Sequence, residues 1–315
     1  MIKFFKNNLA KIKPYLRWFI LGITLFFLLQ TLKDNWSEVK EIRLDRQGLL
    51  MLGISLIVTL IAHLWSGWVW TWIFKLFKQK INLLWAIRVY LKTNIAKYLP
   101  GNIWHFYGRI TAITKASGSL GIASLVVLLE PIFMATSALL LAIISNSLGI
   151  ISTAQNYAIL SFQIAIVILI LTAIHPKILN PTIHFLSRLK GNSQETEPIN
   201  LETYPLLPLI GEFCFLLIRG IGFVFSLLAF MTIPINLLPQ LLSAFSFAWL
   251  LGLIIPGAPG GVGVFETTAI ALLDPQYFPR GVILSTVLVF RFISIIAEVI
   301  AAALGYIGNN EERLN

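Results

Sequence analysis

Apolar runs long enough to cross a bilayer alternate along this chain with short charged segments, and proline and glycine interrupt only some of the runs. About 20 apolar residues span the hydrocarbon core as a helix. Trp18 to Leu32, Leu49 to Phe74, Leu120 to Ser145, Ala158 to Ile174, Leu206 to Ile233 and Gly281 to Ile307 therefore predict transmembrane helices. Two further stretches are apolar but broken. Leu83 to Lys115 is interrupted by Pro100 and Gly101, and Gln240 to Leu273 by the run Pro256, Gly257, Ala258, Pro259, Gly260, Gly261, Val262, Gly263. Proline removes a helical donor and glycine adds backbone freedom, so each stretch predicts two short helices joined by non-helical backbone. Such backbone survives at membrane depth only where protein or a wet cavity satisfies it, which makes both stretches expected re-entrant hairpins. The expected fold is all-α: a polytopic membrane protein of about six transmembrane helices plus two hairpins, in a single membrane domain over residues 1–315.

The order of elements repeats. Helix, helix, hairpin, helix over 17–145 is followed by the same order over 158–307, and in both halves about 50 residues separate the start of the helix before the hairpin from its Pro-Gly break. Charge then gives direction. Lys3, Lys6, Lys11, Lys13 and Arg17 precede the first run without an acid, and no small-residue cleavage site follows it, so it reads as an uncleaved helix with its N-terminus inside. The loop Lys33 to Arg46 holds four basic and four acidic residues and fits the outside. Between Lys75 and Lys115 there are eight basic residues and no carboxylate, a cytoplasmic signature. The polar stretch 175–205 returns to the cytoplasm as a connecting loop. The first half thus starts inside and the second outside, an inverted repeat, in a multi-pass plasma (inner) membrane protein with both termini cytoplasmic. Paired Gly/Pro-interrupted segments in corresponding positions point to a transporter's binding site.

Composition agrees with this picture: of 315 residues 57% are apolar and 12% charged, where a soluble domain carries about 25% charged. The net charge of +10 sits largely in the two cytoplasmic tracts, so it reports orientation and implies no nucleic-acid partner. Cys214 is the sole cysteine, which excludes an internal disulfide.

The remaining charges lie inside apolar runs. Glu130 sits midway along the third helix beside Pro131, Glu212 and Arg219 in the fifth, Arg291 and Glu298 in the sixth, and Glu266 just after the second break. Each costs about 2.5–3.5 kcal/mol at a helix centre, so the six unpaired would cost on the order of 15–20 kcal/mol. Within the fifth and sixth helices the charges are seven residues apart, roughly 10 Å along the axis, so their partners must lie on other helices. Glu212 and Arg219 are open to a purely structural pairing. The first break adds Lys97, Trp104, His105 and Arg109, basic and aromatic groups suited to a lipid phosphate at a cytoplasmic interface, although an aromatic belt with snorkelling basic groups has the same composition. The second break exposes backbone donors before a helix at about Val264 but has neither a P-loop nor a dinucleotide fingerprint. His63, His105, His175 and His184 lack metal-ligand spacing and no nucleophile elbow is present, so neither a metal, a cofactor nor catalysis is expected.

Lys97-Tyr98-Leu99-Pro100-Gly101 with Trp104, Gly108 and Arg109, then Pro256-Gly257 and Gly260-Gly261-Val262-Gly263 with Glu266, and finally Arg291, resemble the family named for the transmembrane region of lysylphosphatidylglycerol synthase. The resemblance covers roughly Leu49 to Ile307. It implies a flippase-like protein that moves a lipid across the bilayer, with a separate enzyme making that lipid, because the synthase domain of fused members has no counterpart in this sequence.

The expected function is translocation of a phospholipid or lipid-linked headgroup. Lys97, His105 and Arg109 would gather the headgroup, Arg219 or Arg291 would receive its phosphate, and Glu130, Glu266 and Glu298 would balance the arginines or bind a cationic headgroup. The alternatives are an ion-coupled transporter of a small solute and, last, a membrane-embedded lipid-modifying transferase.

Overall fold

The computed structural model describes residues 33, 44–98, 103–117, 119–148, 157–189, 200–255, 261 and 263–307. The expected first helix, Trp18 to Leu32, and Pro100, Gly101, Pro256, Gly257, Pro259 and Gly260 lie outside them. Among the described residues the structure is helical, without strands. In chain order the helices are α1 (Arg46–Leu76), α2 (Leu83–Asn94), α3 (Trp104–Ser117), α4 (Leu120–Leu148), α5 (Tyr157–Ala173), α6 (Pro176–Leu189), α7 (Leu206–Leu228), α8 (Leu238–Ile254), α9 (Val264–Leu272) and α10 (Arg280–Tyr306). A 3-10 turn, Ile95–Tyr98, follows α2, and another, Ile235–Leu237, leads into α8. Among the described residues, five helices are long and apolar enough to cross a membrane: α1, α4, α7, α10 and α8 with its preceding turn. A sixth span results if α5 and the start of α6, bent by 64°, count as one.

Asp45 caps α1 by accepting the Gly48 N–H at 2.6 Å, and Asn82 caps α2 by accepting from Trp85 N–H at 3.1 Å. Pro131 does not end α4, which runs through it; Thr136, one turn on, donates to the Ile132 carbonyl at 2.8 Å and keeps the helix regular beyond it.

Two differences from the sequence reading have local causes. The stretch 175–205, expected as a loop, contains the helix α6, since Pro176 starts it and Leu179 and Ile183 fall on one face. Asn180 holds the following chain by donating to the Leu201 carbonyl at 2.9 Å and accepting its N–H at 2.8 Å, which seats Leu201 in the core. The second broken stretch begins earlier than Gln240: Pro234 precedes the 3-10 turn Ile235–Leu237, and α8 starts at Leu238 with Pro239 in its first turn.

At the centre α1 and α7 pack antiparallel along a seam of small residues. Ser55 Oγ donates to the Gly222 carbonyl at 2.7 Å and lies 2.8 Å from Ser226 Oγ, while Trp65 Nε1 donates to the Gly211 carbonyl at 2.8 Å. Small residues let membrane helices approach closely enough for dispersion and hydrogen bonds to hold them. A Cβ on Gly211 would lie 2.7 Å from both Val69 methyls, and a β-branched side chain has no rotamer to yield into. Gly211→Ala is therefore expected to cost about 1–3 kcal/mol, read as a lowered unfolding temperature in detergent; an unchanged melt would show that the seam opens freely.

Around this pair α10 packs against α1 and α2, and α4 packs against α7 and α8. Three clusters of buried apolar residues fill the bundle, around Trp70 and Phe133, around Phe223 and Phe245, and around Ala138 and Leu216.

Candidate functional site

Three ion-pair groups occupy the bundle interior, each joining different helices. In the first, Arg109 of α3 is fully buried and its Nη1 donates to Glu130 of α4. Its Nε donates to Thr93 Oγ1 and its Nη2 to Asn94 Oδ1, both at 3.2 Å. The guanidinium lies 4.0 Å from the centre of the Tyr90 ring, a cation–π contact out of water.

In the second, Arg291 of α10 donates from Nε (2.9 Å) and Nη2 (2.6 Å) to Glu266 Oε1 of α9, and from Nη2 to the Gly261 carbonyl at 3.2 Å. The other carboxylate oxygen accepts the Gly263 N–H at 2.5 Å. Glu266 thus caps its own helix and anchors it to α10. Gly261 and Gly263 have φ of +72° and +88°, a region glycine enters without strain. A Cβ on Gly261 would also meet Gly252 Cα at 3.0 Å, so the two arms touch through bare backbone.

In the third, Glu298 Oε1 of α10 meets Lys97 Nζ at 2.7 Å, His63 Nε2 of α1 at 3.2 Å and Arg219 Nη1 of α7 at 3.9 Å. Arg219 also contacts His63 Nε2 at 2.9 Å and donates to Ser294 Oγ at 3.2 Å. As the spacing required, the partners of Arg291 and Glu298 lie on other elements.

A cavity of about 780 Å³ runs beside these groups. Lys97, Arg109, Arg219 and Arg291 line it with Glu130, His63 and His105, whereas Glu266 and Glu298 are not on its wall. The wall therefore presents four cations and one carboxylate. Arg219 Nε and His105 Nδ1 are buried without a hydrogen-bond partner among the described residues. The remaining wall is apolar and includes Leu128, Ile132, Leu169 and Ile254. These four are 40–69% exposed, so the apolar part of the wall, contributed by α4, α5 and α8, reaches the accessible surface.

Of the residues expected to bind lipid, Lys97, His105, Arg109, Glu130, Arg219 and Arg291 come together on this wall and Glu266 and Glu298 stand behind it. Trp104 does not line the cavity; it lies half-exposed beside Tyr107, with ring centres 6.4 Å apart. The structural pairing considered for Glu212 is not formed, since neither of its carboxylate oxygens has a hydrogen-bond partner among the described residues. Sequence reasoning passed over His63, Tyr90, Asn94 and Ser294. Their signal was positional: Ser55, Thr59, His63 and Ser66 form a polar stripe on an apolar helix, and Ser294 lies between Arg291 and Glu298 on one face.

Comparison of the chain with protein-family models and with curated proteins finds no match.

Proposed function

We propose that this protein is a lipid translocase of the plasma membrane, moving a phospholipid or lipid-linked headgroup through the charged cavity while the acyl chains stay in the bilayer. The observation that carries the reading is the combination of a cationic wall with exposed apolar residues in the same cavity. A lipid phosphate needs the first and its chains need the second, whereas a soluble solute needs no exposed apolar wall. Arg219 and His105, on the wall, each have a buried nitrogen without a hydrogen-bond partner among the described residues, and a phosphate that reached them would supply one.

An inverted repeat supports alternating access. Exchanging α1, α2, α3, α4 for α7, α8, α9, α10 turns the contacts of α10 with α1 and α2 into those of α4 with α7 and α8, and returns the central pair α1 and α7 to itself. The ion pairs follow the same rule with the sign reversed: Arg109 to Glu130 joins α3 to α4, and Glu266 to Arg291 joins α9 to α10. On this reading α2 with α3, and α8 with α9, are the two re-entrant hairpins, both termini face the cytoplasm, and a separate enzyme supplies the lipid. The resemblance to the transmembrane region of lysylphosphatidylglycerol synthase implies the same activity.

The test is reconstitution into vesicles of phosphatidylglycerol and phosphatidylcholine with labelled lipids. Wild type is expected to speed transbilayer movement, and Arg219→Gln to slow it about ten- to a hundredfold, the loss of one charged hydrogen bond of about 1.5–3 kcal/mol. Movement no faster than in protein-free vesicles across several lipid classes overturns the reading.

A further inference from the structure

The charges on and behind the cavity wall do not cancel. Arg109 is matched by Glu130 and Arg291 by Glu266, one cation to one carboxylate in each case. The third group differs, because Lys97 and Arg219 share Glu298, with His63 against the same carboxylate oxygen. Whatever the charge on His63, at least one positive charge is left over. Lys97 and Arg219 carry it on the wall, while Glu298 stands behind. Glu212, the remaining buried carboxylate among the described residues, is not on the wall and makes no hydrogen bond with any of them. Two unused nitrogens fall in the same place. Arg219 contacts His63 through Nη1 and Ser294 through Nη2, but its Nε is buried without a hydrogen-bond partner among the described residues, as is His105 Nδ1. A phosphodiester oxygen would accept from such a nitrogen and offset the spare charge.

An ammonium group needs the opposite surroundings, a carboxylate or an aromatic face. On this wall its own cations have taken them. Glu130 is the one carboxylate among the lining residues, and it accepts from Arg109. The Tyr90 ring faces the Arg109 guanidinium at 4.0 Å, the Tyr98 ring the Lys97 ammonium at 5.4 Å and the Phe290 ring the Arg219 guanidinium at 5.6 Å. Trp249 meets Phe215 edge to face, with ring centres 6.1 Å apart. An ammonium brought here would add a like charge beside cations in a low-dielectric interior, which repels it.

We propose that the site takes a lipid whose headgroup is net negative, a phosphodiester without an ammonium, and rejects zwitterionic and aminoacylated headgroups. The cationic headgroup that the sequence allowed for Glu130, Glu266 and Glu298 meets one carboxylate already held by Arg109 and two that lie behind the wall. This selectivity rests on the translocase reading for its purpose, but binding and movement are read separately.

Isothermal titration calorimetry of the full chain in a nonionic detergent uses four short-chain ligands: phosphatidylglycerol, phosphatidylcholine, phosphatidylethanolamine and lysylphosphatidylglycerol. Salt at about 1 M, where the screening length is about 3 Å, suppresses attraction to the basic surface. Phosphatidylglycerol is expected to bind about ten- to a hundredfold tighter than the two zwitterionic lipids, the worth of one charged hydrogen bond, and lysylphosphatidylglycerol to bind weakest. Arg219→Gln leaves Lys97 and Glu298 one to one, and Lys97→Met leaves Arg219 and Glu298 so. Either should bring phosphatidylglycerol within about threefold of phosphatidylcholine, and the second serves if the first fails to fold. Equal affinity for phosphatidylglycerol and phosphatidylcholine in wild type, tightest binding of lysylphosphatidylglycerol, no binding of any of the four, or a preference untouched in the folded variants overturns the proposal. Selective binding by a protein that moves no lipid in vesicles supports the site and refutes the translocase reading. Movement of all four lipids with equal affinity keeps that reading and refutes the selectivity.

Discussion

Arg109→Met is expected to destabilise the detergent-solubilised protein by about 3–5 kcal/mol, since removing one partner of a buried ion pair leaves the other charge uncompensated. That corresponds to an unfolding temperature lower by on the order of 10 °C. The loss reaches beyond Glu130, because Thr93 and Asn94 lose their donor and Tyr90 its cation. The double substitution Arg109→Met with Glu130→Leu should recover most of the stability, as apolar replacements of a whole buried pair are often neutral or better. Its transport should nevertheless stay as low as that of the single variant. That split separates two roles a static structure merges. If the double variant regains both stability and lipid movement, the pair is a structural clip between α3 and α4 and has no part in handling a headgroup. If neither returns, the packing around Tyr90 depends on the guanidinium itself.

What could be read from the sequence follows from what kind of constraint each feature obeys. Spans such as Leu120 to Ser145 were legible because the bilayer fixes length and composition locally, and α4 agrees within a few residues. The separation of α2 from α3 and of α8 from α9 was legible because proline and glycine lie in the sequence between them and disfavour one continuous helix. The need for cross-helix partners was legible from the seven-residue spacing of Arg291 and Glu298, but their identity was not. Nothing local tells Glu130 that Arg109, rather than Arg219, will reach it. His63 looked like an isolated histidine because its two partners lie 156 and 235 residues away in sequence, on α7 and α10. Glu212 shows the same limit from the other side: it is as buried as Glu130 and has the same chemistry, yet its carboxylate has no hydrogen-bond partner among the described residues. Trp104 was grouped with the site as an aromatic among the basic groups of the first break, and the helical turn between it and His105, about 100°, sends the two to different faces.

Glu298→Gln is expected to have an effect as large as the loss of Arg109, for a different reason. One carboxylate oxygen serves Lys97, His63 and Arg219, so neutralising it leaves the buried Arg219 and the partly buried Lys97 facing each other across a neutral amide. The cost should again be about 3–5 kcal/mol, measured by thermal unfolding. Lys97→Met alone should cost less, because Glu298 keeps Arg219 and His63. In the double variant Glu298→Gln with Lys97→Met, one of the two repelling cations is gone, and a coupling of about 0.5–3 kcal/mol is expected between the sites; simple additivity would show that Lys97 reaches out to solvent rather than to Glu298. The lipid readout moves in the opposite sense from stability. Glu298 neutralises a wall that would otherwise hold an anionic headgroup more tightly, so Glu298→Gln should bind phosphatidylglycerol more strongly yet release it more slowly, lowering turnover. Lys97→Met removes a cation from the same wall and should weaken phosphatidylglycerol binding relative to phosphatidylcholine. On the proposed translocase reading, a shared, outnumbered carboxylate behind the wall would let the cavity attract a phosphate without trapping it.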